Sequence, residues 1–376
     1  MAEPFKNLLN PTLVRASSAA LTRAWPAFDD RRFERIALKG LDDLEMKARA
    51  MQIADALEAV LPQDFDAACA VIESALAPPI AVDGVASQRE GEGLTGWIVW
   101  PLGEFVARRG LDHPERALRA LHALTQRLTA EWAIRPLIVR HPALVFETLL
   151  TWTRDPSAHV RRLASEGSRP RLPWGLQLKT LIADPSPTLP ILMALHDDPS
   201  EYVRRSVANH LNDIAKDHPQ LVVDWVQRHL PAASAERRAL LAHASRTLIK
   251  RSHAGMLTLW GVGSAFAGRC TLKVAPRRVA VGESVQLVLS LHSESTAAQT
   301  LLIDYAVHHV KAHGGTTPKV FKGWQLTLAA GESRTLTRQH SFKAVTTRRY
   351  HAGPHAIDVS INGGVAASAS VTLRVC

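Results

Sequence analysis

Two stretches of the chain repeat one pattern 43 residues apart. DPSAHVRRLASEG begins at Asp155 and DPSEYVRRSVANH begins at Asp198, and both contain Asp-Pro-Ser followed by Val-Arg-Arg. The same offset relates Leu149 to Leu192 upstream. A period of about 40–47 residues with two helices per unit is typical of HEAT-type repeats, which stack helix pairs into a curved solenoid. The repeat therefore predicts an all-α HEAT-like repeat solenoid.

Apolar spacing on either side of the repeat is helical as well. The segment Leu41–Leu61 carries apolar residues at spacings of three, four and seven and ends at Pro62, as an amphipathic helix should. Further helices are expected at Phe65–Leu76, Pro114–Leu128, Pro142–Thr151, Val160–Ser165, Thr188–Leu195, Tyr202–Ala215, Leu221–His229 and Ala235–Ile249. We therefore assign residues 1–260 to one helical domain.

After Gly261 the period changes to two. Apolar and polar residues alternate in four runs, at Val285–Leu291, Leu301–Val307, His355–Ile361 and Val371–Val375. Such alternation is typical of half-buried antiparallel strands. About seven short strands in residues 269–376 predict an all-β immunoglobulin-like sandwich without an internal disulfide. Gly261–Gly268, rich in glycine, alanine and serine, is the expected linker.

The basic charge is concentrated in the last two thirds of the chain. The formal net charge is +10, yet residues 1–129 hold more acidic than basic side chains. This distribution favours a polyanionic partner, although many basic proteins bind no nucleic acid. Charge alone leaves both possibilities open.

Several protein classes are excluded by composition. Three scattered cysteines provide neither a disulfide framework nor a cysteine-rich zinc site and fit a reducing compartment. No run approaches the ~20 apolar residues of a membrane span, and the N-terminus lacks the apolar segment of a signal peptide. We expect a cytoplasmic protein with no membrane partner.

No cofactor is indicated. The chain has neither a Walker loop nor a Gly-x-Gly-x-x-Gly motif after a strand. His308, His309 and His313 fall on a strand and its turn, where adjacent side chains point to opposite faces, so we expect no metal site.

Charged residues recur on one face of the repeated helix. Arg162 and Glu166 lie four residues apart and share that face. The 43-residue offset relates Arg162 to Arg205 and Glu166 to Asn209, and Asp213 follows one turn later. These side chains line one wall of the solenoid or form ordinary ion pairs on a solvated face.

A stiff basic segment follows the first of these helices. SEGSRPRLPW, residues 165–174, contains two prolines, a glycine and two arginines, so it would hold Trp174 near Glu166. Upstream, EWAIRP places Glu131 beside Trp132. Structural roles remain open for each: both tryptophans as core aromatics, Glu131 paired with Arg135, and Asp213 paired with Lys216 or Asn209.

Several of these strings resemble a known family. EWAIRP, VRRLASEGSRPRLPW and SVANHLNDIAKDHP are similar to the AlkC-type alkylpurine DNA glycosylases, HEAT-like relatives of the AlkD type. FKNLLNPTLV and GLDDLEMKARA are also similar, so the resemblance covers nearly the whole helical domain. One branch of that family has a C-terminal immunoglobulin-like domain. Trp132 departs from the motif, where phenylalanine is expected, but retains an aromatic face.

The resemblance implies excision of cationic N-alkylated bases, such as 3-methyladenine and 3-methylcytosine, from duplex DNA in the bacterial cytoplasm. It implies that Glu166 is the principal carboxylate, with Asp213 and Glu131 assisting. Trp174 and Trp132 would pack against the deoxyribose or the lesion. The resemblance also implies that the base is excised without being flipped into a pocket, unlike in most glycosylases.

The same resemblance implies a basic surface that binds DNA. We expect a monomer, because a single solenoid can bind one duplex. Arg162 would contact the flanking phosphate, and further phosphate contacts are expected from Arg169, Arg171, Arg204 and Arg205. In the sandwich, Arg348 and Arg349 belong to a basic-aromatic loop that either touches a DNA groove or is an ordinary solvated loop. The alternative function is a non-catalytic HEAT-repeat scaffold that binds DNA or a protein partner.

Overall fold

The computed structural model of the chain describes residues 4–80, 93–262, 265–345 and 349–375. Within these ranges, helices come first and strands follow. The α-helices are α1 Pro11–Ala24, α2 Asp30–Ala37, α3 Met46–Val60, α4 Phe65–Ser74, α5 Val99–Arg109, α6 Pro114–Thr125, α7 Ile134–Arg140, α8 Pro142–Trp152, α9 Ala158–Glu166, α10 Lys179–Ala183, α11 Leu189–Leu195, α12 Glu201–Ile214, α13 Pro219–His229, α14 Ala235–Lys250 and α15 Ala254–Leu259.

The strands are β1 Gly268–Ala275, β2 Arg278–Ala280, β3 Ser284–Ser293, β4 Gln299–Val310, β5 Thr316–Leu328, β6 Ser333–Ser341, β7 Gly353–Ile361 and β8 Gly364–Arg374. This order confirms an all-α region followed by an all-β region. The expected linker Gly261–Gly268 falls partly outside the described residues. Within the ranges described above, no helix is both long and apolar enough to cross a membrane.

Packing divides the chain into two compact units. The first comprises the residues up to His218 together with Ala232–Ala244, and the second comprises Pro219–Pro231 and the residues from Ser245 onward. Helices α13 and α15 contact each other within the second unit.

The repeat forms two helix pairs, α8 with α9 and α11 with α12, and the pairs stack through α9 on α12 and α8 on α11. In each copy the aspartate carboxylate accepts a hydrogen bond from the main-chain nitrogen of the serine two residues later. The distances are 2.8 Å from Ser157 N to Asp155 Oδ1 and 2.9 Å from Ser200 N to Asp198 Oδ1. The Asp-Pro-Ser motif therefore sets the turn between the two helices of each pair.

The first arginine of each Arg-Arg doublet secures the same turn. Arg161 Nη1 donates to Asp155 O at 2.9 Å, and Arg204 Nη1 donates to Asp198 O at 2.7 Å. Arg161 Nε also donates to Asp198 Oδ2 at 2.6 Å, which joins one copy to the next. The repeated residues thus hold the helix pairs together.

The helix expected at Leu41–Leu61 begins later than predicted. Leu41–Asp43 forms a short 3-10 turn, and α3 follows it. Arg49, 2% exposed, donates to the carbonyl oxygens of Asp42 and Leu44 at 3.0 and 2.9 Å. Because these bonds satisfy carbonyls that a continuous helix would use itself, a buried arginine stabilises a break that apolar spacing does not reveal.

The strands form two sheets, in the orders β1-β3-β6 and β2-β8-β7-β4-β5. Neighbouring strands are antiparallel except β2 and β8. The core contains the alternating residues predicted for β3, β4, β7 and β8, namely Val285, Leu287, Leu289, Leu291, Leu301, Ile303, Tyr305, Val307, Ile357, Val359, Ile361, Val371 and Leu373. Val375 was wrongly included in the last run, because β8 ends at Arg374 and Val375 is 47% exposed.

The described residues contain eight strands rather than about seven. The four strands located by alternation, β3, β4, β7 and β8, all lie inside their sheets, whereas β1, β2, β5 and β6 lie at the edges. An interior strand has one face in the core along its whole length. An edge strand is more solvated, so its sequence need not alternate.

Candidate active site

The carboxylate of Glu166 lies at the C-terminal end of α9. Arg169 Nη1 donates to its Oε1 at 2.5 Å, and Ser206 Oγ donates to its Oε2 at 2.6 Å. Arg162 Nη2 lies 3.6 Å from Oε1. The Glu166 side chain is only 6% exposed. These partners therefore enclose the carboxylate, which does not stand open on the helix face.

Arg169 joins Glu166 to Asp213, which lies near the C-terminal end of α12. Arg169 Nε donates to Asp213 Oδ2 at 2.8 Å, and Lys216 Nζ donates to Oδ1 at 2.7 Å. The side chains of Asp213 and Arg169 are 2% and 9% exposed. Arg169 was expected to contact a DNA phosphate, but its guanidinium lies between two carboxylates.

Arg162 joins Glu166 to Glu131. Arg162 Nη1 lies 2.8 Å from Glu131 Oε2, and Thr129 Oγ1 donates to the same oxygen at 2.7 Å. The guanidinium carbon of Arg162 lies 4.8 Å from the ring centroid of Tyr202, a cation–π contact. Acids and arginines thus alternate in a continuous series that we call the charge chain: Glu131, Arg162, Glu166, Arg169 and Asp213.

Opposite charges keep Glu166 ionised. Burial alone would raise the pKa of this carboxyl, but Arg162, Arg169 and the hydrogen bond from Ser206 outweigh burial and lower the pKa below 4.5. Burial would lower the pKa of Arg169, but the carboxylates of Glu166 and Asp213 raise it instead. The site therefore holds a preformed anion at neutral pH, paired with permanent cations.

Three stacked indoles accompany the charge chain. Trp132 follows Glu131 in the sequence, and its ring lies 4.3 Å from that of Trp100 with an interplanar angle of 25°. The ring of Trp174 lies 6.2 Å from that of Trp100 with an interplanar angle of 5°. Trp132 Nε1 donates to Pro173 O at 3.2 Å, which fixes the residue before Trp174.

The backbone of Trp174 adopts a left-handed conformation, with φ of 61°. This conformation is unfavourable for a residue with a Cβ. The side chain is also 59% exposed. The segment therefore presents a large aromatic face to solvent at a conformational cost, a combination often found at functional sites.

Comparisons with known proteins agree with this fold. A family model described as "DNA alkylation repair enzyme" matches residues 128–248, and one for the C-terminal Ig-like domain of the uncharacterised protein YhaZ matches residues 269–375. Pseudomonas fluorescens alkylpurine DNA glycosylase AlkC, solved bound to DNA containing an abasic site analog, is 34% identical. The match has a TM-score of 0.90 and covers 99% of this chain and 100% of that one. The chain belongs to the AlkC family of alkylpurine DNA glycosylases.

A second relative of this AlkC-family chain is the uncharacterized protein YhaZ of Bacillus subtilis, 36% identical over 377 residues and 99% of both chains. The family assignment confirms the resemblance, the activity of a DNA glycosylase and an immunoglobulin-like C-terminal domain. Every member of the charge chain, with Trp132 and Trp174, falls inside the matched range 128–248.

Two of the other arginines expected to bind DNA phosphates already have hydrogen-bond partners within this AlkC-family chain. Arg171 Nε and Nη2 each donate to the Asp217 carboxylate at 2.8 Å. Arg204 Nη1 donates to the carbonyl oxygens of Asp198 and Pro199 at 2.7 and 2.8 Å, so it secures a turn.

Two further arginines expected to bind DNA stand at the surface. Arg205 is exposed and lines an open groove with Glu201, Glu236 and His243. Arg349 is exposed, and Arg348 lies outside the described residues.

Sequence patterns did not identify several residues of this candidate site. Trp100 comes from α5, Ser206 from the middle of α12, and Phe5 from the N-terminal 3-10 turn, where its ring lies 5.5 Å from Trp174. These residues are distant in the sequence from the residues that they contact. No local spacing could have identified them.

Proposed function

We propose that the chain hydrolyses the N-glycosidic bond of cationic N-alkylated bases, 3-methyladenine and 3-methylcytosine, in duplex DNA. One observation carries this proposal: an ionised Glu166, held between Arg162 and Arg169, stands at one end of the segment whose other end bears the exposed Trp174. The family membership supports the same reaction class.

The leaving group sets the demands on the site. An N3-alkylated base already carries positive charge, so it departs without protonation by a general acid. The sugar becomes oxocarbenium-like as the bond stretches. A carboxylate can stabilise that cation and orient the attacking water, as carboxylates do in glycoside hydrolases. Glu166 takes this role, and Asp213 and Glu131 add negative charge on either side.

Arg162 is the residue through which DNA would act on Glu166. Its side chain is 16% exposed, more than that of Glu166 or Glu131, and guanidinium binds phosphate strongly. When a backbone phosphate binds Arg162, Glu131 and Glu166 each lose one positively charged neighbour. The local field then becomes more negative where the sugar becomes cationic.

Arg169 keeps its contacts with Glu166 and Asp213 when Arg162 binds DNA. It holds Glu166 and Asp213 through separate nitrogens, so the carboxylates keep their orientation when Arg162 moves. Lys216 binds the second oxygen of Asp213 and is 35% exposed. Arg169 is therefore a positioning residue rather than a phosphate contact.

The indoles supply the apolar part of the site. Trp174, with Trp132 behind it, packs against the deoxyribose or the lesion, and an aromatic face attracts a cation. A methylated base is held weakly in the duplex, which favours selection of damage without a flipping pocket.

Residues 1–260 form the HEAT-like glycosylase domain in this proposal, and residues 269–376 the immunoglobulin-like domain. Arg171, Arg205 and Arg349 contact DNA phosphates. The protein binds duplex DNA as a monomer in the bacterial cytoplasm. That the P. fluorescens AlkC structure contains DNA with an abasic site analog supports a DNA substrate.

The test is base release from methylated duplex DNA, followed by chromatography of the free bases. We expect 3-methyladenine and 3-methylcytosine from the wild type, and a rate lower by about 10²–10³-fold for Glu166→Gln and less for Asp213→Asn. Absence of any released base would contradict the proposed function. Unchanged release by Glu166→Gln would reject only its role as principal carboxylate.

A further inference from the structure

A buried arginine fastens the segment that bears Trp174. Arg135, at the start of α7, is 0% exposed. Its Nη1 donates to Gly167 O at 2.8 Å and to Arg169 O at 2.7 Å. Its Nε donates to Leu176 O at 2.5 Å, and its Nη2 lies 3.5 Å from Pro170 O. Each acceptor is a main-chain carbonyl within residues 167–176, which we call the Trp174 segment.

Enclosing a guanidinium is costly unless its donors find partners. Burial lowers the pKa of Arg135 to about 10, and the charge of Arg169 adds to this effect. Arg135 therefore stays charged at neutral pH, and hydrogen bonds to four carbonyl oxygens offset its loss of hydration. The planar fork fixes both ends of the Trp174 segment at once.

Two glycines let the chain close around this arginine. A Cβ at Gly175 would lie 3.2 Å from Cδ and Nε of Arg135. A Cβ at Gly167 would lie 2.6 Å from Cγ2 of Ile134, the residue before Arg135. The Trp174 segment therefore approaches the start of α7 more closely than side chains at these positions would allow.

We propose that Arg135 is a positioning residue for base excision, because it fixes Trp174 relative to Glu166 by binding the main chain on both sides of Trp174. This inference rests on the proposed function, which gives both residues a role in the reaction. Arg135 is buried and acts through the Trp174 segment. Neither the sequence motif nor the family comparison assigns it this role.

The test combines hydrogen–deuterium exchange of the free protein with single-turnover base release. Arg135→Lys keeps the charge but loses the planar fork. We expect faster exchange of the amides of Gly175 and Leu178, which donate to Leu172 O and Pro170 O. We also expect base release to slow by about 10²-fold, as misplacement of a reacting group typically does. The Kd for duplex containing an abasic site analog should change by a much smaller factor.

Arg49→Lys is the matched control. Arg49 is also buried, and it donates to the carbonyl oxygens of Leu9, Asp42 and Leu44. We expect a comparable loss of Tm with unchanged exchange in the Trp174 segment. If Arg135→Lys does not fold, Gly175→Ala disturbs the same contact from the other side and should give the same pattern.

Unchanged exchange in a folded Arg135→Lys protein would overturn the proposal, and so would faster exchange with unimpaired base release. A wild type that releases no base contradicts the proposed function and, with it, the catalytic part of this inference. Because hydrogen–deuterium exchange is measured without DNA, it still shows whether Arg135 fastens the Trp174 segment. Failure of this inference and failure of the proposed function are therefore distinguishable.

Discussion

Arg169 lies between Glu166 and Asp213, with Nη1 2.5 Å from Glu166 Oε1 and Nε 2.8 Å from Asp213 Oδ2. The two carboxylates come from α9 and α12, the second helices of successive repeat copies. One arginine therefore bridges two acids that the repeat brings side by side.

Removing this link should change the pH dependence of base release. In Arg169→Gln, Glu166 loses one of the cations that lower its pKa, so burial raises that pKa. Because the ionised form is required, the acid limb of the single-turnover rate should move to higher pH. Arg237→Gln removes an arginine that pairs with Asp197 rather than with Glu166, and it should leave the limb in place. Identical limbs in both variants would contradict the assignment.

Glu166 should also stabilise the fold in a pH-dependent way. Its pKa is lowered in the folded state, so its contribution is present above about 4.5 and is lost as the pH falls through the folded-state pKa. Glu166→Gln should lower the free energy of unfolding at pH 7 by about 3–5 kcal/mol, because two arginines lose a buried partner. It should also flatten the acid slope.

Urea unfolding between pH 3 and 7 measures both effects, and circular dichroism defines the temperature at which the variant stays folded for assays. Glu147→Gln, at an exposed position on α8, should shift stability by no more than about 0.5 kcal/mol. An equal loss in both variants would show that the charge chain contributes no special stability.

Trp174 should prove dispensable for folding and necessary for activity. Glycine relieves the left-handed backbone, which costs other residues about 1–2 kcal/mol, and the indole is 59% exposed. Trp174→Gly should therefore change the free energy of unfolding by no more than about 1 kcal/mol while base release falls at least about tenfold. In contrast, Trp152→Ala at a buried position should cost about 3–5 kcal/mol. Full activity of Trp174→Gly would remove Trp174 from the site.

Trp132 offers a test that separates its ring from its hydrogen bond. Trp132→Phe keeps an aromatic face against Trp100 but loses the bond to Pro173 O. We expect a stability loss of about 0.5–1.5 kcal/mol and base release close to that of the wild type. Trp132→Ala should lose most activity. If base release is equally impaired in both variants, it depends on the hydrogen bond to Pro173 O rather than on the aromatic ring.

Arg205 should contribute to DNA affinity through charge alone. It is exposed on α12, so Arg205→Ala should weaken binding to any duplex and reduce the slope of log K against log salt by about 1. Fluorescence anisotropy at several salt concentrations measures this slope. Arg31→Ala, exposed on α2 in the acidic first third of the chain, should leave it unchanged. A slope that is the same in Arg205→Ala and the wild type would remove Arg205 from the interface.

The charge chain shows which contacts can be predicted from residue spacing and which cannot. Glu131, Glu166 and Asp213 were all candidates from the sequence, and Lys216 was among the expected partners of Asp213. The contacts that join one helix to another were not predictable. Glu131 binds Arg162 rather than Arg135, because the Arg135 side chain turns toward the carbonyls of the Trp174 segment. Spacing of four residues did predict the shared face of Arg162 and Glu166, since that contact is local to one helix.

Residue patterns were enough to predict a helical region followed by a sandwich, the paired helices of the repeat and the interior strands. Each of these depends on a periodic pattern of burial that neighbouring residues carry together. Three contacts were visible only in the folded chain: Arg135 binds carbonyls of residues 167–176, Arg169 binds two carboxylates, and Phe5 contacts Trp174. Those contacts join distant parts of the chain, and packing alone sets the direction in which a long side chain points.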